Sequence, residues 1–278
     1  RRRAAHIRWK SINDLEKYLI QFESTFIKSG GKVIWARDGA DACKEIMSII
    51  QSAKATSIIK SKSLTGDEIG LQDALKKINA EWTETDLGQF ILQLANEKPS
   101  HMVMPALHKS AIEVMQLFRQ SGIPAETASP EELASRGAAF LRKKHLNPDI
   151  GITGANFLLA DQGAVAITEN EGNVMLAASR PKIHIVLAGI DKVLPSVKDL
   201  QTLWPLLSTY GTGQKLTSYN SILWGPKTTQ ETDGPEQMYV VLIDNGRTEI
   251  MAEEVQRGIL SCIRCGACQY ADPIYHLI

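Results

Sequence analysis

Residues 32–59, KVIWARDGADACKEIMSIIQSAKATSII, decide the fold class. Lys32-Val33-Ile34-Trp35-Ala36 reads as a strand and Thr56-Ser57-Ile58-Ile59 as another. Between them, residues 39–53 place Ala42, Ile46, Ile49 and Ile50 at helical spacing. A strand, an amphipathic helix and a second strand predict a right-handed crossover between parallel neighbours. The same alternation continues. Residues 56–59, 81–84 and 101–104 read as strands, with helices over 67–79, 87–95 and 108–121. Upstream, Ile12, Leu15, Leu19, Phe22 and Phe26 predict one helix over 11–28, ended by Gly30-Gly31. Strands and helices in this order predict an α/β fold with a mostly parallel open sheet flanked by helices.

The texture changes after a helix over 130–146, which Ser129-Pro130 and the acidic pair Glu131 and Glu132 open. Residues 151–191 hold short apolar runs separated by Gly, Asn and Asp. Strands are predicted over 157–160, 164–168, 174–177 and 183–188. Turns fall at Asp161-Gln162-Gly163 and Asn170-Glu171-Gly172-Asn173. This is the pattern of an antiparallel insertion that returns to the main sheet. A helix over 196–208, strands around 219–223 and 238–243, and a helix over 252–261 complete the reading.

That last helix delivers Cys262-Ile-Arg-Cys265-Gly-Ala-Cys268-Gln-Tyr-Ala-Asp272-Pro273, which holds three of the four cysteines. The spacing is that of the bacterial iron–sulfur run C-x2-C-x2-C-x3-C-P, with Asp272 in the fourth place. Two-residue gaps let one loop supply three corners of a cubane, small Gly266 and Ala267 let the backbone curl, and Pro273 stops a helix. The alternative is a zinc knuckle, with His276 as a fourth ligand, although zinc sites usually come as two ligand pairs. The chain has no initiator Met and stops at Ile278, shortly after this half-motif. A fragment with an absent or incomplete cluster is therefore expected. Cys43 stands alone in a helical pattern and is expected in the core.

The 278 residues carry 31 basic and 31 acidic side chains, so no global field draws nucleic acid or a membrane surface. No apolar run approaches the length of a membrane span, and no signal peptide is legible. Free, clustered thiols suit a reducing, cytoplasmic compartment.

Other constellations carry weaker chemistry. Lys60-Ser61-Lys62-Ser63 follows a parallel strand, where ligands bind in open α/β sheets. It suits a phosphate or carboxylate, or it only opens a helix through a capping box at Thr65-Gly66-Asp67-Glu68. Glu169 and Glu171 in the 168–173 turn are candidate acid/base groups or simply solvated turn residues. Gly211-Thr212-Gly213-Gln214-Lys215 resembles a phosphate loop only loosely. His108 is a ligand candidate or a surface residue, and His184 is expected to be structural.

Residues 59–71 (IKSKSLTGDEIGL), 84–94 (ETDLGQFILQL), 99–109 (PSHMVMPALHK), 151–172 (GITGANFLLADQGAVAITENEG), 211–219 (GTGQKLTSY) and 262–268 (CIRCGAC) together resemble the lactate-utilisation protein B family. The resemblance implies a body of the glucosamine-6-phosphate deaminase, ribose-5-phosphate isomerase and CoA-transferase type. It implies a C-terminal module with two [4Fe–4S] motifs, of which this chain holds part of the first. It further implies an electron-transfer subunit of a complex that oxidises L-lactate to pyruvate, inactive without its partner subunits. The expected organisation is a helical arm at 1–30, an α/β domain at 31–251 and an incomplete ferredoxin-like module from 252. Candidate metal ligands are Cys262, Cys265 and Cys268, with Arg264 tuning their charge. Candidate ligand-binding residues are Lys60, Lys62, Ser63, His108, Asn156, Gln214 and Lys215. Candidate catalytic carboxylates are Glu169 and Glu171, which would also serve a rival isomerase- or CoA-transferase-like enzyme acting on a small anion.

Overall fold

A computed structural model describes residues 1–275. Ten strands form two sheets: β1 (Lys32–Ala36), β2 (Ser57–Lys60), β3 (Glu81–Glu84), β4 (Ile150–Gly154), β5 (Phe157–Leu159), β6 (Ala164–Glu169), β7 (Ile183–Gly189), β8 (Val193–Leu194), β9 (Tyr219–Leu223) and β10 (Gln237–Ile243). Six of them make a sheet in the order β1-β10-β7-β4-β2-β3, parallel at every pairing. The other four make a small mixed sheet, β8-β5-β6-β9, in which β6 runs antiparallel to both neighbours. The α/β class, the parallel sheet and the antiparallel insertion are as the sequence predicts.

The two faces of the large sheet bury alternate residues, as the two-residue period of a strand requires. Val186, Ala188, Val240 and Leu242 meet Leu15, Tyr18, Leu19, Phe22 and Phe26 of the Leu15–Lys28 helix. Ile185, Leu187, Val241 and Ile243 meet Ala42, Ile46 and Ile50 of the Gly39–Ser52 helix on the other side. The small sheet is also two-faced. Leu158, Val165 and Ile167 join the first cluster. Phe157, Leu159, Ala164 and Ala166 pack on Leu203 and Leu207 of the Leu200–Thr212 helix and on Ala4 and Ile7.

Several local expectations are corrected. The 11–28 helix is two helices, Arg2–Asn13 and Leu15–Lys28, broken at Asp14. They are not an arm, because Phe22, Phe26 and Arg8 are among the most deeply buried residues described. The predicted 67–79 helix is two short ones, Leu64–Glu68 and Leu71–Leu75, separated by left-handed Gly70. Ser63 caps the first, its Oγ accepting from Gly66 N at 3.0 Å, so the cap lies two residues before the predicted box. Residues 101–104 form no strand. His101 Nδ1 accepts from Val103 N and Met104 N, both at 3.0 Å, and this local turn between Pro99 and Pro105 outcompetes a ladder. The β3-to-β4 connection is therefore three helices, Leu87–Ala95, Ala111–Gln120 and Pro130–Lys144.

Residues 174–177 are helical, within Asn173–Ser179. Their Met, Leu and Ala are good helix formers, and the Glu169 carboxylate accepts from Val174 N and Met175 N at 2.7 and 2.8 Å. The predicted 252–261 helix is instead the helix Arg247–Ala252 followed by a 3-10 segment, Arg257–Ser261. The sequence reading missed β4, whose Ile-Gly-Ile-Thr-Gly lacks a continuous apolar run. Its Gly151 is required by close packing, since a Cβ there would lie 1.8 Å from the Ala177 carbonyl oxygen.

At the carboxyl end of β2, Lys60 Nζ donates to Glu84 Oε1 at 2.6 Å with neither side chain exposed. Gln72 Nε2 donates to the same oxygen at 3.0 Å. Burial pushes the Glu84 carboxyl upward, and Lys60 opposes it. Removing one partner of such a pair strands a buried charge, so Lys60→Met is expected to cost about 3–5 kcal/mol in urea unfolding. Lys60→Met combined with Glu84→Gln should recover most of that loss. Equal losses in the single and double variants would contradict this account of the pair.

Candidate functional site

The chain leaves β2 toward β3 on one side and leaves β4 toward β7 on the other. Neighbouring strands whose connections diverge leave a crevice beyond their carboxyl ends. Here that crevice is a cleft of about 400 Å³. Ser61, Lys62 and Ser63 after β2 line one wall, and Gly154, Ala155 and Asn156 after β4 line the floor. Glu169, Asn170 and Glu171 after β6 line another wall. Asp86, at the start of the Leu87–Ala95 helix, and Met102, Val103 and Met104 are also at its edge.

The fourth wall is made by Ile263, Arg264 and Cys265. The cysteine run therefore closes the cleft of the body, which the linear reading, treating the two as separate modules, did not foresee. A buried charge network holds it there. Arg247 Nε donates to Asp191 Oδ1 at 2.6 Å, and its two terminal nitrogens grip Glu68 at 2.8 and 2.9 Å. Arg264 Nη2 donates to the second Glu68 oxygen at 3.0 Å. Lys192 pairs with Asp191 at 3.2 Å and donates to the Cys262 carbonyl at 3.3 Å. Arg8, reaching in from the first helix, donates to the carbonyls of Asp191 and Val193 and, at 2.8 Å, of Leu260. Burial pushes the Asp191 carboxyl up, but Lys192, Arg247 and Arg8 outweigh it and hold it below the usual carboxylate range. Gly189 is required beside this knot, because a Cβ would meet Asp191 Oδ1 at 2.3 Å and Arg247 Nε at 2.5 Å.

The sequence candidates separate into groups. Lys62 lines the cleft, with Nζ donating to the Val103 carbonyl at 2.5 Å. Burial pushes its pKa down, against the pull of Asp86, Asp67 and Glu171. Ser63 and Asn156 line the cleft too, although Ser63 is the helix cap and Asn156 Oδ1 accepts from Thr168 N at 2.8 Å. Lys60 lies beneath, committed to Glu84. His108 sits with Glu97 and Ser100 on the surface. Gln214 bonds Asn170 and Thr212, and the Lys215 carbonyl accepts from Ser208 Oγ. These last three are not among the residues lining the cleft, and the 211–215 stretch is a helix end with left-handed Gly213 rather than a phosphate loop. His184 is buried, within 2.8 Å of Thr153 Oγ1, and burial pushes its pKa down to about 3, as befits a structural residue.

The two carboxylates differ. Glu169 is spent on the first turn of the Asn173–Ser179 helix. Glu171 meets the backbone N–H of Leu87, the first residue of the Leu87–Ala95 helix, a contact that favours its charged form. Loss of hydration at the cleft, then the nearby charge of Asp86, push its carboxyl up to about 7. Ser61, part of the predicted anion-binding stretch, has a buried Oγ with no hydrogen-bond partner among the described residues, whereas the whole Arg8–Asp191–Arg247 knot was missed from sequence. Asp191-Lys192 follows a strand end, a signal that was available. Arg8 carries none, being one basic residue among several in its helix.

Cys262 and Cys268 are exposed, Cys265 is half-buried, and Cys43 is partly buried near the Ile69 carbonyl. Burial pushes the Cys43 thiol up. Among the described residues no three His, Cys, Asp or Glu side chains are gathered as a metal set. The donor chemistry nevertheless fits an anionic cluster. Three thiols share one loop, and Arg8, Lys192, Arg247 and Arg264 outnumber Asp191 and Glu68 beside it. Asp272, in the place of a fourth cysteine, accepts from Ile274 N at 2.9 Å, and His276 lies outside the described residues. No described helix is long and apolar enough to cross a membrane.

The raised Glu171 carboxyl keeps its proton to higher pH in the folded chain than in the unfolded one. Its contribution to stability therefore falls as pH rises from the ordinary value of 4.5 to about 7. Carboxyl-carbon NMR should show Glu171 titrating near 7, and Asp86→Asn should lower that midpoint. Titration in the ordinary glutamate range would contradict the geometry.

The LUD domain family model matches residues 19–243. Lactate utilization protein B of Anoxybacillus flavithermus is 40% identical over 273 residues, covering 98% of this chain and 58% of that protein. The Bacillus subtilis protein of the same name is 42% identical over 270 residues, covering 97% and 56%. The chain thus spans little more than half the length of these relatives. A crystal structure of a DUF162 family protein from Deinococcus radiodurans aligns with a TM-score of 0.46 at 12% identity, covering 82% of this chain and 98% of that one. With its matched region spanning most of the chain, this protein belongs to the LUD domain family.

Proposed function

We propose that this chain is the iron–sulfur electron-transfer component of a multi-protein complex that oxidises L-lactate to pyruvate. The observation that carries the proposal is the docking of the cysteine loop on the switch-point cleft, in a chain whose relatives are named for lactate utilization. Cys262, Cys265 and Cys268 would hold three corners of a [4Fe–4S] cluster. A fourth thiolate would come from outside the described residues. When bound, the cluster would supply one-electron transfer at a potential set by surrounding charge and hydrogen bonds. Arg8, Lys192 and Arg264 place positive charge beside the loop that would carry the anionic cluster. Leu260, Ile263 and the Leu200–Thr212 helix shield the inner side of the loop from water.

A second reading is favoured by one observation, the perturbed Glu171 carboxyl that lines the cleft together with Lys62. An isomerase- or CoA-transferase-like enzyme would use such a group as base or nucleophile. Glu169 is unsuited to that role, since its oxygens are occupied by the helix.

The complete polypeptide, purified without oxygen, should contain iron and acid-labile sulfide and a broad visible absorbance that bleaches on reduction. Cys262→Ser and Cys265→Ser should each remove most of it. Zinc without iron, or a colourless protein, would overturn the proposal.

A further inference from the structure

The cleft contains polar groups that the electron-transfer reading leaves without a role. Ser61 is fully buried at the carboxyl end of β2, lines the cleft, and has an Oγ with no hydrogen-bond partner among the described residues. A buried hydroxyl left unpaired is costly, and a ligand is one way to satisfy it. Lys62 stands next to it. Its ammonium, which has three donors, donates to the Val103 carbonyl and to no other acceptor among the described residues. Lys192 and Arg264 add positive charge from the cysteine wall, each already tied to a carboxylate. Glu171 and Asp86 line the cleft as well, and the Glu171 carboxyl also meets the Leu87 backbone N–H.

The cleft therefore offers two chemistries. Ser61 and Lys62 bring a hydroxyl and an ammonium that suit an anionic oxygen. Glu171 brings a carboxyl group that suits a hydroxyl donor. Its volume, about 400 Å³, lies in the range of small-molecule sites. Cys265 lies on its wall, whereas Cys262 and Cys268 are exposed and do not line it.

We propose that the cleft binds a small molecule bearing both an anionic group and a hydroxyl, with the anion on Lys62 and Ser61, the hydroxyl on Glu171, and one edge against Cys265. This deepens the reading above by naming a ligand class for the cleft, and it concerns binding alone. Two sources share the chemistry, a hydroxy acid and a sugar phosphate. L-Lactate and ribose 5-phosphate are the probes that distinguish them.

Calorimetric titration of the metal-free 278-residue chain with each probe measures affinity. Iodoacetamide labelling followed by peptide mass spectrometry reads which thiol is covered. At least one probe should bind and slow the labelling of Cys265 severalfold while leaving Cys262 and Cys268 unchanged. Lys62→Met should weaken that binding about tenfold or more, as loss of a charged hydrogen bond does. Ser61→Ala, a smaller change that keeps the fold should Lys62→Met disturb it, should weaken it about threefold or more. Binding of lactate alone assigns a hydroxy acid, and binding of ribose 5-phosphate alone assigns a sugar phosphate. Binding of neither overturns the proposal. So does binding that leaves Cys265 fully reactive or is indifferent to both substitutions. Because no metal enters the experiment, a negative result leaves the iron–sulfur reading standing, and an iron-free parent protein leaves this site standing.

Discussion

Asp191 is a buried carboxylate at the end of a parallel strand, and its position constrains much of the chain. A lone anion there would be strongly disfavoured. It is instead met by Arg247 and Lys192 through its side chain and by Arg8 through its carbonyl. Each cation carries the contact further: Arg247 to Glu68 and thence Arg264, Lys192 to the Cys262 carbonyl, Arg8 to the Leu260 carbonyl. The first helix, the β2 loop region, the end of β7 and the cysteine run are joined through one set of charges. The set has more positive than negative members, an imbalance suited to thiolates close by.

The parallel sheet makes this knot possible. Every strand of the large sheet points its carboxyl end the same way, so Lys60, Gly154 and Gly189 end on one edge. The small mixed sheet adds the end of β6 to that edge. Loops leaving these ends supply both the cleft and the anchor points of the cysteine loop. The cysteine loop and the cleft share a wall for a topological reason: both are built where the strand connections diverge.

Much of the fold was legible because its signals are local. The 39–53 helix and the strands at 32–36, 183–188 and 238–243 carry their period in adjacent residues. The failures have particular causes. His101 spends its ring on its own backbone, so an apolar run between prolines never pairs. Glu169 caps a helix at a turn whose Asn and Gly read as a hairpin. β4 holds Gly151, which the Ala177 backbone demands, and Gly154, which packs against the Ser63 side chain, and glycine leaves no hydrophobic trace. In the site, Lys62, Ser63 and Glu171 could be marked from a strand end and turn composition, and Asn156 came with the family resemblance. His108, marked from a predicted strand end, and Gln214 and Lys215, marked from a loose phosphate-loop likeness, do not line the cleft: His108 meets Glu97 and Ser100, Gln214 meets Asn170 and Thr212, and the Lys215 carbonyl meets Ser208. Arg8 and Leu260 are 252 residues apart, and no local pattern encodes such a contact.

The claim on which the rest turns is that charge pairing clamps the cysteine loop to the cleft. Amide hydrogen exchange across residues 260–268, compared between the natural chain and Glu68→Ala, tests it most directly. Glu68 is partly exposed and grips both Arg247 and Arg264, so its removal should free the loop without unfolding the sheet. Exchange in the loop is expected to quicken about tenfold, equivalent to ~1.4 kcal/mol, while β7 and β10 keep their protection. A loop that already exchanges at the rate of an open chain, or that ignores the substitution, would contradict the account.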